Sequence, residues 1–250
     1  MEEVTTYSTD NIIEIIGLKK SFGKNCVLNN FNLNVKQGEN VVVIGKSGAG
    51  KSVLIKCIVG LMVQDSGSIK VFGDEVSKLS HDDLDVMRAK VGFLFQSNAL
   101  YDSMTVRENL EFPLRRHWIK STKENIGDLV MEALTNVGLA ETINMKPAEL
   151  SGGMKKRIAL ARTLILKPKI ILYDEPTSGL DPVTGKEISK LILEVQKKYN
   201  AASIIISHDL NCAKITSNKI VILVDGTCYA MGTYQELSAS SDKKVNQFFD

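Results

Sequence analysis

One short segment of the chain combines glycines, a lysine and a serine at a spacing suited to phosphate binding. Residues 45–52 read Gly-Lys-Ser-Gly-Ala-Gly-Lys-Ser and fit the pattern G-x-x-x-x-G-K-[ST] of a phosphate-binding P-loop. Glycines let backbone N–H groups curl around an anion, because side chains there would clash with it. In such a loop Lys51 reaches the terminal phosphates and the Ser52 hydroxyl ligates Mg²⁺. The segment therefore predicts a site for a phosphate with Mg²⁺.

The residues on either side of this loop meet the structural requirements of the motif. Val41–Ile44 is a run of four apolar, β-branched residues, which favours a buried strand. After the loop, one apolar helix face is predicted from the spacing of Val53, Leu54, Cys57, Ile58 and Leu61. A helix that begins at the loop directs the positive end of its dipole at the anion. This context disfavours the alternative of a glycine-rich turn that binds nothing.

Two adjacent carboxylates follow a second apolar run. Ile170–Tyr173 predicts a buried strand, and Asp174 and Glu175 come directly after it. An aspartate at a strand end can hold Mg²⁺ through water, and the glutamate beside it can orient or deprotonate an attacking water molecule. The alternative, that the pair only ends a strand, is less favoured in a chain that carries a P-loop.

A second helix start also has the features of an anion-binding end. Ser151 is a good N-cap, and Gly152 and Gly153 leave backbone N–H groups free at the start of a helix. Two copies facing head to tail would explain why the chain has two such ends, since the Ser151 end of one would cover the phosphate held by Lys51 of the other. Considered alone, the segment favours an ordinary capped helix.

Away from these motifs, short apolar runs alternate with helical patterns. Strands are predicted at Ile12–Ile16, Phe31–Val35, Ser68–Phe72, Val91–Gln96, Ile170–Asp174 and Ser203–Ser207. Helices are predicted at Val106–Leu114, Thr122–Val137, Met154–Leu166 and Thr184–Tyr199. Asp225-Gly226 predicts a hairpin that joins Lys219–Val224 to Thr227–Met231. The pattern indicates a parallel α/β core with an added antiparallel sheet.

Three further expectations concern the organisation of the chain. Residues 18–27 are polar and are expected to be irregular, and Pro113 is expected to limit the first helix. Residues 1–10 are expected to form a solvated tail. One domain is predicted over 11–237, with a helical subdomain over about 97–162, followed by a C-terminal tail over 238–250 whose apolar residues pack on this chain or on a second copy.

The composition disfavours several classes of protein. The 250 residues include 31 Lys and Arg against 29 Asp and Glu, for a net charge of +2, which does not favour nucleic-acid binding. The four cysteines are far apart, which favours a reduced intracellular protein without a metal–thiolate site. No apolar run approaches the roughly 20 residues that span a bilayer, and the polar start is not a signal peptide. Any membrane role is therefore expected to depend on a partner.

In this order the motifs resemble those of the ATP-binding subunit of ABC transporters, over nearly the whole chain. Residues 45–52 match that family's Walker A motif, 150–153 its signature motif and 178–181 its D-loop. Met154 departs from the family pattern, which has Gln there. The resemblance implies an α/β P-loop NTPase fold, with a RecA-like parallel-sheet core, an antiparallel β-subdomain and an inserted helical subdomain. It also implies ATP hydrolysis.

The same resemblance implies roles for individual residues. ATP would be bound by Phe22, Gly45, Lys46, Ser47, Gly48, Ala49, Gly50, Lys51, Ser52, Val53 and Gln96, and by Ser151, Gly152 and Gly153 of a second copy. Mg²⁺ would be held by Ser52, Gln96 and Asp174. Hydrolysis would depend on Lys51, on Glu175 as the catalytic carboxylate and on His208 as the switch histidine. Phe22 would stack on adenine, or simply belong to the core, and Gln96 would sense Mg²⁺ and a membrane partner.

Residues 95–115 carry a finer resemblance, to the ATPases of Mla/Mce phospholipid-transport systems. The matching segments are Phe95-Gln96-Ser97-Asn98-Ala99-Leu100, Met104-Thr105-Val106 and Pro113-Leu114-Arg115. This resemblance implies a dimer on the cytoplasmic face of the inner membrane, an integral membrane permease docked near residues 97–105 and a lipid-binding Mce-type subunit. The apolar residues of Ala99–Met104 could equally well pack inside the helical subdomain.

Two other functions remain open at this point. The same motor could serve another substrate, such as amino acids, although the sequence of residues 99–115 argues against it. A soluble ABC protein that acts on nucleic acid is the more distant alternative. Such proteins typically carry two cassettes or a long coiled-coil insertion, whereas this chain has one uninterrupted cassette and a net charge near zero.

Overall fold

Strands and helices alternate along most of the chain. The structure is a computed structural model that describes residues 11–116 and 125–249. The strands are β1 (Asn11–Phe22), β2 (Asn25–Lys36), β3 (Asn40–Gly45), β4 (Ser66–Val71), β5 (Asp74–Glu75), β6 (Val91–Leu94), β7 (Ile170–Asp174), β8 (Ala202–Ile206), β9 (Lys219–Val224) and β10 (Thr227–Gly232). The helices are α1 (Lys51–Ile58), α2 (His81–Ala89), α3 (Val106–Arg116), α4 (Ile126–Asn136), α5 (Gly152–Leu164), α6 (Pro182–Tyr199), α7 (Leu210–Thr216), α8 (Tyr234–Ser238) and α9 (Lys243–Asn246).

These strands form two sheets. The first is antiparallel, in the order β2-β1-β4-β5. The second has the order β10-β9-β3-β8-β7-β6, and all its strands run parallel except β10, which returns beside β9 as a hairpin. Because β8 lies between β3 and β7, the loops that leave the carboxyl ends of these three strands lie side by side. The expected α/β class, with a parallel core and an added antiparallel sheet, is confirmed.

The parallel strands are apolar on both faces because both faces are covered. Along β3, Val42 and Ile44 face one core, while Val41 and Val43 face another. Tyr173 of β7 faces the first core, which lies under the helices from α3 onward. The second core lies between the two sheets and includes the buried residues of α1. The helix that follows the P-loop is thus held between two layers of strands.

Helix α1 is shorter than the predicted apolar face requires. Its buried side chains include Leu54, Ile55, Cys57 and Ile58. The predicted face also included Leu61, which is 58% exposed and lies beyond the end of the helix. The helix ends because Gly60 takes a left-handed conformation with φ of +66°, a common way to terminate a helix. The prediction for Leu61 is therefore wrong.

The polar segment expected to be irregular is instead a hairpin. β1 continues to Phe22, and β2 starts at Asn25, with Lys20 opposite Leu28 and Phe22 opposite Asn25. Gly23 forms the turn at φ of +59°. Backbone hydrogen bonds between the two strands form here whatever the polarity of the side chains. The hydrophobic periodicity of the sequence therefore does not reveal these parts of the strands.

Pro113 does not end its helix. Helix α3 continues to Arg116 with Pro113 inside it. Glu111 forms ion pairs with Arg107 at 3.9 Å and Arg115 at 2.5 Å, one helical turn away on either side. These pairs and the buried apolar face of α3 offset the one backbone hydrogen bond that proline removes.

Of the other predicted elements, β7 and β9 have the predicted ends, and the rest are present with shifted ends. Thr122–Val137 corresponds to α4, and its residues 122–124 lie outside the described residues, as does the expected tail over 1–10. Helices α2, α7, α8 and α9 were not predicted, and the last two have only five and four residues. Ser80 caps α2 and Asp209 caps α7 by accepting bonds from backbone N–H groups. Both helices are short, at nine and seven residues, which weakens their periodic signal.

The C-terminal segment packs on its own chain. Val245 of α9 is 2% exposed and belongs to the first core. The Phe249 ring meets the Tyr234 ring edge-on at 5.5 Å. Asp250 lies outside the described residues. In the described part of the chain, no helix combines the length and the apolar character needed to cross a membrane.

Candidate functional site

The P-loop connects the buried strand β3 to helix α1 in a shape that depends on glycine. Gly48 and Gly50 have φ of +79° and +99°, which L-residues rarely adopt. A Cβ atom on Gly50 would lie 2.8 Å from the Val27 carbonyl oxygen, whereas one on Gly48 would meet nothing within 4 Å. The loop is therefore closed against β2 on one side and open on the other, as a phosphate cradle requires.

Lys51 is held within this cradle. Its Nζ atom donates hydrogen bonds to the carbonyl oxygens of Gly45 at 2.7 Å and Lys46 at 3.1 Å. The residue is 9% exposed. Burial lowers the pKa of Lys51, while the charges of Glu175 and Asp174 oppose this shift. The buried Lys51 ammonium group is suited to bind a phosphate, because the phosphate oxygens would take the place of the water molecules that burial has removed.

Ser52 and Asp174 form the second part of the site. Asp174 ends β7, and the Ser52 Oγ atom donates to its Oδ1 atom at 3.4 Å. Burial raises the pKa of Asp174, and the hydrogen bond from Ser52 opposes this. A hydroxyl and a carboxylate beside a phosphate cradle are oxygen ligands of the kind that Mg²⁺ takes together with phosphate and water. The residues present therefore fit Mg²⁺ and a triphosphate.

Glu175 and His208 form a hydrogen-bonded pair across two strand ends. The backbone of Glu175 has φ of +50°, and its N–H group donates to the Ile206 carbonyl at 2.9 Å. The Glu175 Oε2 atom lies 2.7 Å from the Nδ1 atom of His208. The carboxylate is 13% exposed, whereas the histidine side chain is 69% exposed. The pair is thus a fixed carboxylate next to a histidine open to solvent.

Gln96 is held from two directions. Its side-chain Nε2 atom donates to the Ser178 hydroxyl at 3.4 Å, and its backbone carbonyl oxygen accepts from the Nζ atom of Lys156 at 3.0 Å. Lys156 lies on α5 and is 2% exposed. Burial lowers the pKa of Lys156, and the charge of Asp174 opposes this shift. The helix that starts at Ser151 is thereby tied to the loop after β6.

One cleft brings most of the predicted residues together. It has a volume of about 810 Å³. The predicted residues that line it are Gly45, Lys46, Ser47, Gly48, Gly50, Lys51, Ser52, Val53, Gln96, Asp174, Glu175 and His208. Ala49 lines a neighbouring cavity of about 520 Å³. Residues as far apart in sequence as Gly45 and His208 therefore share one site.

Four predicted residues do not line either cavity. Phe22 is 48% exposed at the end of β1, with the Lys20 ammonium 5.6 Å from its ring centre. Ser151 caps α5 by accepting from the Met154 N–H group at 3.2 Å, and Gly152 and Gly153 begin that helix. The signature segment would therefore have to reach a phosphate in another copy of the chain.

The structure also adds residues that sequence reasoning missed. Val27, Gln247 and Phe248 line the larger cleft. Lys156 had no motif of its own, although a lysine inside an apolar helical pattern is a signal worth following. No local signal marks Gln247 or Phe248, because only the fold brings the chain end to the P-loop.

Comparison with known proteins gives consistent matches. The family model described as "ABC transporter" matches residues 28–178. The "probable ribonucleotide transport ATP-binding protein mkl" of Mycobacterium leprae is 40% identical over 95% of this chain and 68% of its own length. The methionine import ATP-binding protein MetN of Campylobacter jejuni is 36% identical, over 95% and 75%. The intermembrane phospholipid transport system ATP-binding protein MlaF of Haemophilus influenzae is 37% identical, over 95% and 90%.

A solved structure agrees with the fold. It is a dimeric ATP-binding cassette in a post-hydrolysis state bound to ADP and Pi. It matches with a TM-score of 0.80 and 32% identity, over 90% of this chain and 99% of that one.

Proposed function

Because this chain belongs to the ABC transporter family, we propose that it powers the movement of phospholipid or a related lipid between membranes. The chain is the ATP-binding subunit of an ABC transporter, an ATPase that uses ATP and Mg²⁺. The lipid substrate is supported chiefly by the similarity to MlaF, which extends over 95% of this chain and 90% of that relative. The resemblance of residues 95–115 to Mla/Mce ATPases points the same way.

We propose the following roles in hydrolysis. Lys51 and the P-loop N–H groups bind the phosphates, and Ser52, Asp174 and Gln96 hold Mg²⁺. When bound, that ion neutralises negative charge on the phosphates. Glu175 orients the attacking water and takes its proton, while His208 keeps the Glu175 carboxylate in place through their 2.7 Å contact.

Two copies would form the working unit. ABC cassettes form dimers, as the matched post-hydrolysis structure does. Residues 151–153 do not line the cleft of their own chain, which supports a head-to-tail arrangement in which they cover the phosphates of the partner. The Gln96–Lys156 bond then links the signature helix to the segment after β6.

An exposed apolar region beside this segment supports the docking of a membrane permease near residues 97–105. Phe95 is 42% exposed and Tyr101 40%. Leu100, by contrast, packs against the first core, so Tyr101 is the better residue to test. The proposed location is the cytoplasmic face of the inner membrane, with a lipid-binding Mce-type subunit in the same complex.

Docking can be tested with one pair of matched variants. Tyr101→Glu should abolish co-purification with the membrane subunit, because a charge would be buried in an apolar contact. Met231→Glu is the control, since Met231 is an apolar residue of β10 that is 52% exposed. Co-purification of the Tyr101→Glu variant at the wild-type level would contradict this docking site.

The substrate can be tested on the assembled transporter. We expect phospholipid to co-purify with the complex, detected by mass spectrometry, and to stimulate its ATPase activity. Stimulation by methionine or ribonucleotides, without bound lipid, would favour another substrate instead. That second candidate is supported by MetN and mkl, whose identities to this chain are similar to that of MlaF.

We also propose boundaries for the parts of the chain. The cassette spans residues 11–237, its helical subdomain about 97–162, and residues 238–250 form a C-terminal segment.

A further inference from the structure

The end of the chain lies beside the P-loop, where no sequence motif predicts a function. Gln247 and Phe248 follow α9 and line the 810 Å³ cleft together with the P-loop. The same two residues line the neighbouring 520 Å³ cavity, which also includes Lys244. Every other residue of the larger cleft lies at or before position 208. The C-terminal segment thus supplies a separate wall of the nucleotide cleft.

Contacts on the far side of α9 fix this wall in place. The Asp242 carboxylate accepts hydrogen bonds from the Lys244 N–H group at 2.8 Å and the Tyr229 hydroxyl at 2.7 Å. Val245 is buried in the first core. With Asp242 bound to β10 and Val245 held in this core, the segment holds Gln247 and Phe248 at the cleft.

The chemistry of this wall differs from that of the phosphate end. The phosphate end offers a lysine, backbone N–H groups, a hydroxyl and carboxylates. Phe248 offers an aromatic ring, and Gln247 offers an amide with both donor and acceptor atoms. A flat ring stacks on a heteroaromatic base, and an amide can hydrogen-bond to a base edge. Phe22, the aromatic residue expected to meet adenine, lines neither cavity.

We propose that Phe248 and Gln247 contact the base of ATP bound to the same chain, so that the C-terminal segment is part of the nucleotide site. Phe248 packs against the first core and so presents its ring in a restrained position, which limits the entropy lost on binding. The inference rests on the proposed nucleotide site at the P-loop. It adds to that site a wall that binds the base, formed by residues that follow β10 in sequence.

The test compares two ligands that share phosphates but not a base. Calorimetry without Mg²⁺, which prevents hydrolysis, would give the Kd of ATP and of inorganic tripolyphosphate. Phe248→Ala should raise the Kd of ATP about tenfold, as expected for one base–aromatic contact, and leave that of tripolyphosphate unchanged. Phe248→Trp should bind ATP as tightly as wild type, since it keeps an aromatic ring.

The adjacent phenylalanine provides a matched control. Phe249→Ala removes the same side chain from the same segment, but Phe249 contacts Tyr234 and does not line either cavity. It should therefore change neither Kd. Lys51→Ala should weaken both ligands, because both carry phosphates. Gln247→Ala, at an exposed position, should alter the ratio of GTP to ATP affinity several-fold.

Four results would overturn the proposal. An unchanged Kd of ATP in Phe248→Ala would mean that the Phe248 ring does not contact the base. A lower Kd would mean that the ring hinders binding of the base. Equal weakening of both ligands would indicate a disturbed P-loop. Failure of wild type to bind either ligand would refute the nucleotide site itself, which is a different outcome from a defect confined to ATP in the Phe248 variant.

Discussion

Glu175 occupies a backbone conformation that a glutamate adopts only when its surroundings impose it. A φ of +50° costs about 1 kcal/mol for a residue with a side chain. The bond from its N–H group to the Ile206 carbonyl, at 2.9 Å, and the contact with His208 hold it there. Such local strain is typical of functional positions. The carboxylate is thereby directed into the cleft instead of continuing the line of β7.

Replacing this carboxylate should separate binding from hydrolysis. We expect Glu175→Gln to keep ATP binding but to lower the hydrolysis rate a hundredfold or more, about the contribution of a general base. Steady-state phosphate release and equilibrium ATP binding would measure the two effects. Glu194→Gln, the same change at an exposed position on α6, should alter neither. Wild-type turnover by Glu175→Gln would refute the proposed role.

The four cysteines should differ widely in reactivity. Cys26 is exposed, whereas Cys57 and Cys212 are buried. Burial raises the pKa of Cys57 and of Cys228, and it raises the pKa of Cys212 to about 11. At pH 8 only about one Cys212 thiol in a thousand would be the reactive thiolate.

An alkylating reagent at pH 8 should therefore label Cys26 first, and Cys212 only after unfolding. Peptide mass spectrometry with and without urea would follow each site. Because a raised pKa leaves less thiolate at any lower pH, labelling of Cys228 should rise as the pH is increased. Equal rates for Cys26 and Cys212 in the native protein would contradict the structure.

At the scale of elements, Asn109 fixes the segment that precedes α3. It is fully buried. Its Oδ1 atom accepts from the Tyr101 N–H group at 2.8 Å, and its Nδ2 atom donates to the carbonyls of Tyr101, Met104 and Thr105. Thr105 and Glu108 form a reciprocal cap at the start of the helix. The proposed docking segment is thus a shaped loop with its own internal support.

Removing this support should destabilise the protein. Asn109→Ala leaves several buried backbone groups without partners, so the free energy of unfolding should fall by about 3 kcal/mol. Asn136→Ala is the comparison, because its bonds to Tyr199 and Lys198 lie nearer the surface, and it should cost less than about 1 kcal/mol. Urea unfolding would measure both. Equal losses would show that Asn109 does not support the loop as described.

For the whole molecule, the two helix ends that the sequence predicts to bind anions lie in different parts of the fold. Lys51 lines the cleft, while Ser151 and Gly152 do not. A Cβ atom on Gly152 would approach only Leu180, at 3.9 Å, so a side chain fits there without disturbing the fold. This permits a test of whether each site is shared between two chains.

Mixed dimers, isolated with two different affinity tags, provide that test. If one chain carries Lys51→Ala and the other Gly152→Asp, one of the two head-to-tail sites stays intact, and about half of the ATPase activity should remain. If one chain carries both changes and the other is wild type, neither site is intact and activity should be lost. Equal activity of the two mixed dimers would contradict the head-to-tail arrangement.

The sequence by itself determined those parts of the site that are formed by residues close together in the chain. The P-loop, the carboxylates after β7 and the Ser151 cap all follow from spacing and neighbouring apolar runs, because backbone conformation and capping are short-range effects. The α/β class follows from the alternation of apolar strands with helices. Hydrophobic periodicity missed the end of β1, where cross-strand pairing satisfies the backbone. The expectation that proline limits a helix failed at Pro113, where ion pairs and packing keep α3 intact.

Only the tertiary structure decided which of these parts meet. The order of strands brings Asp174 to Ser52 and Glu175 to His208, and packing of α5 brings buried Lys156 to Gln96. Packing of α9 brings Phe248 to the P-loop, although nothing near residue 248 indicates it. Such contacts join residues far apart in the chain, so they depend on sheet order and on how the cores fill, which no local pattern encodes.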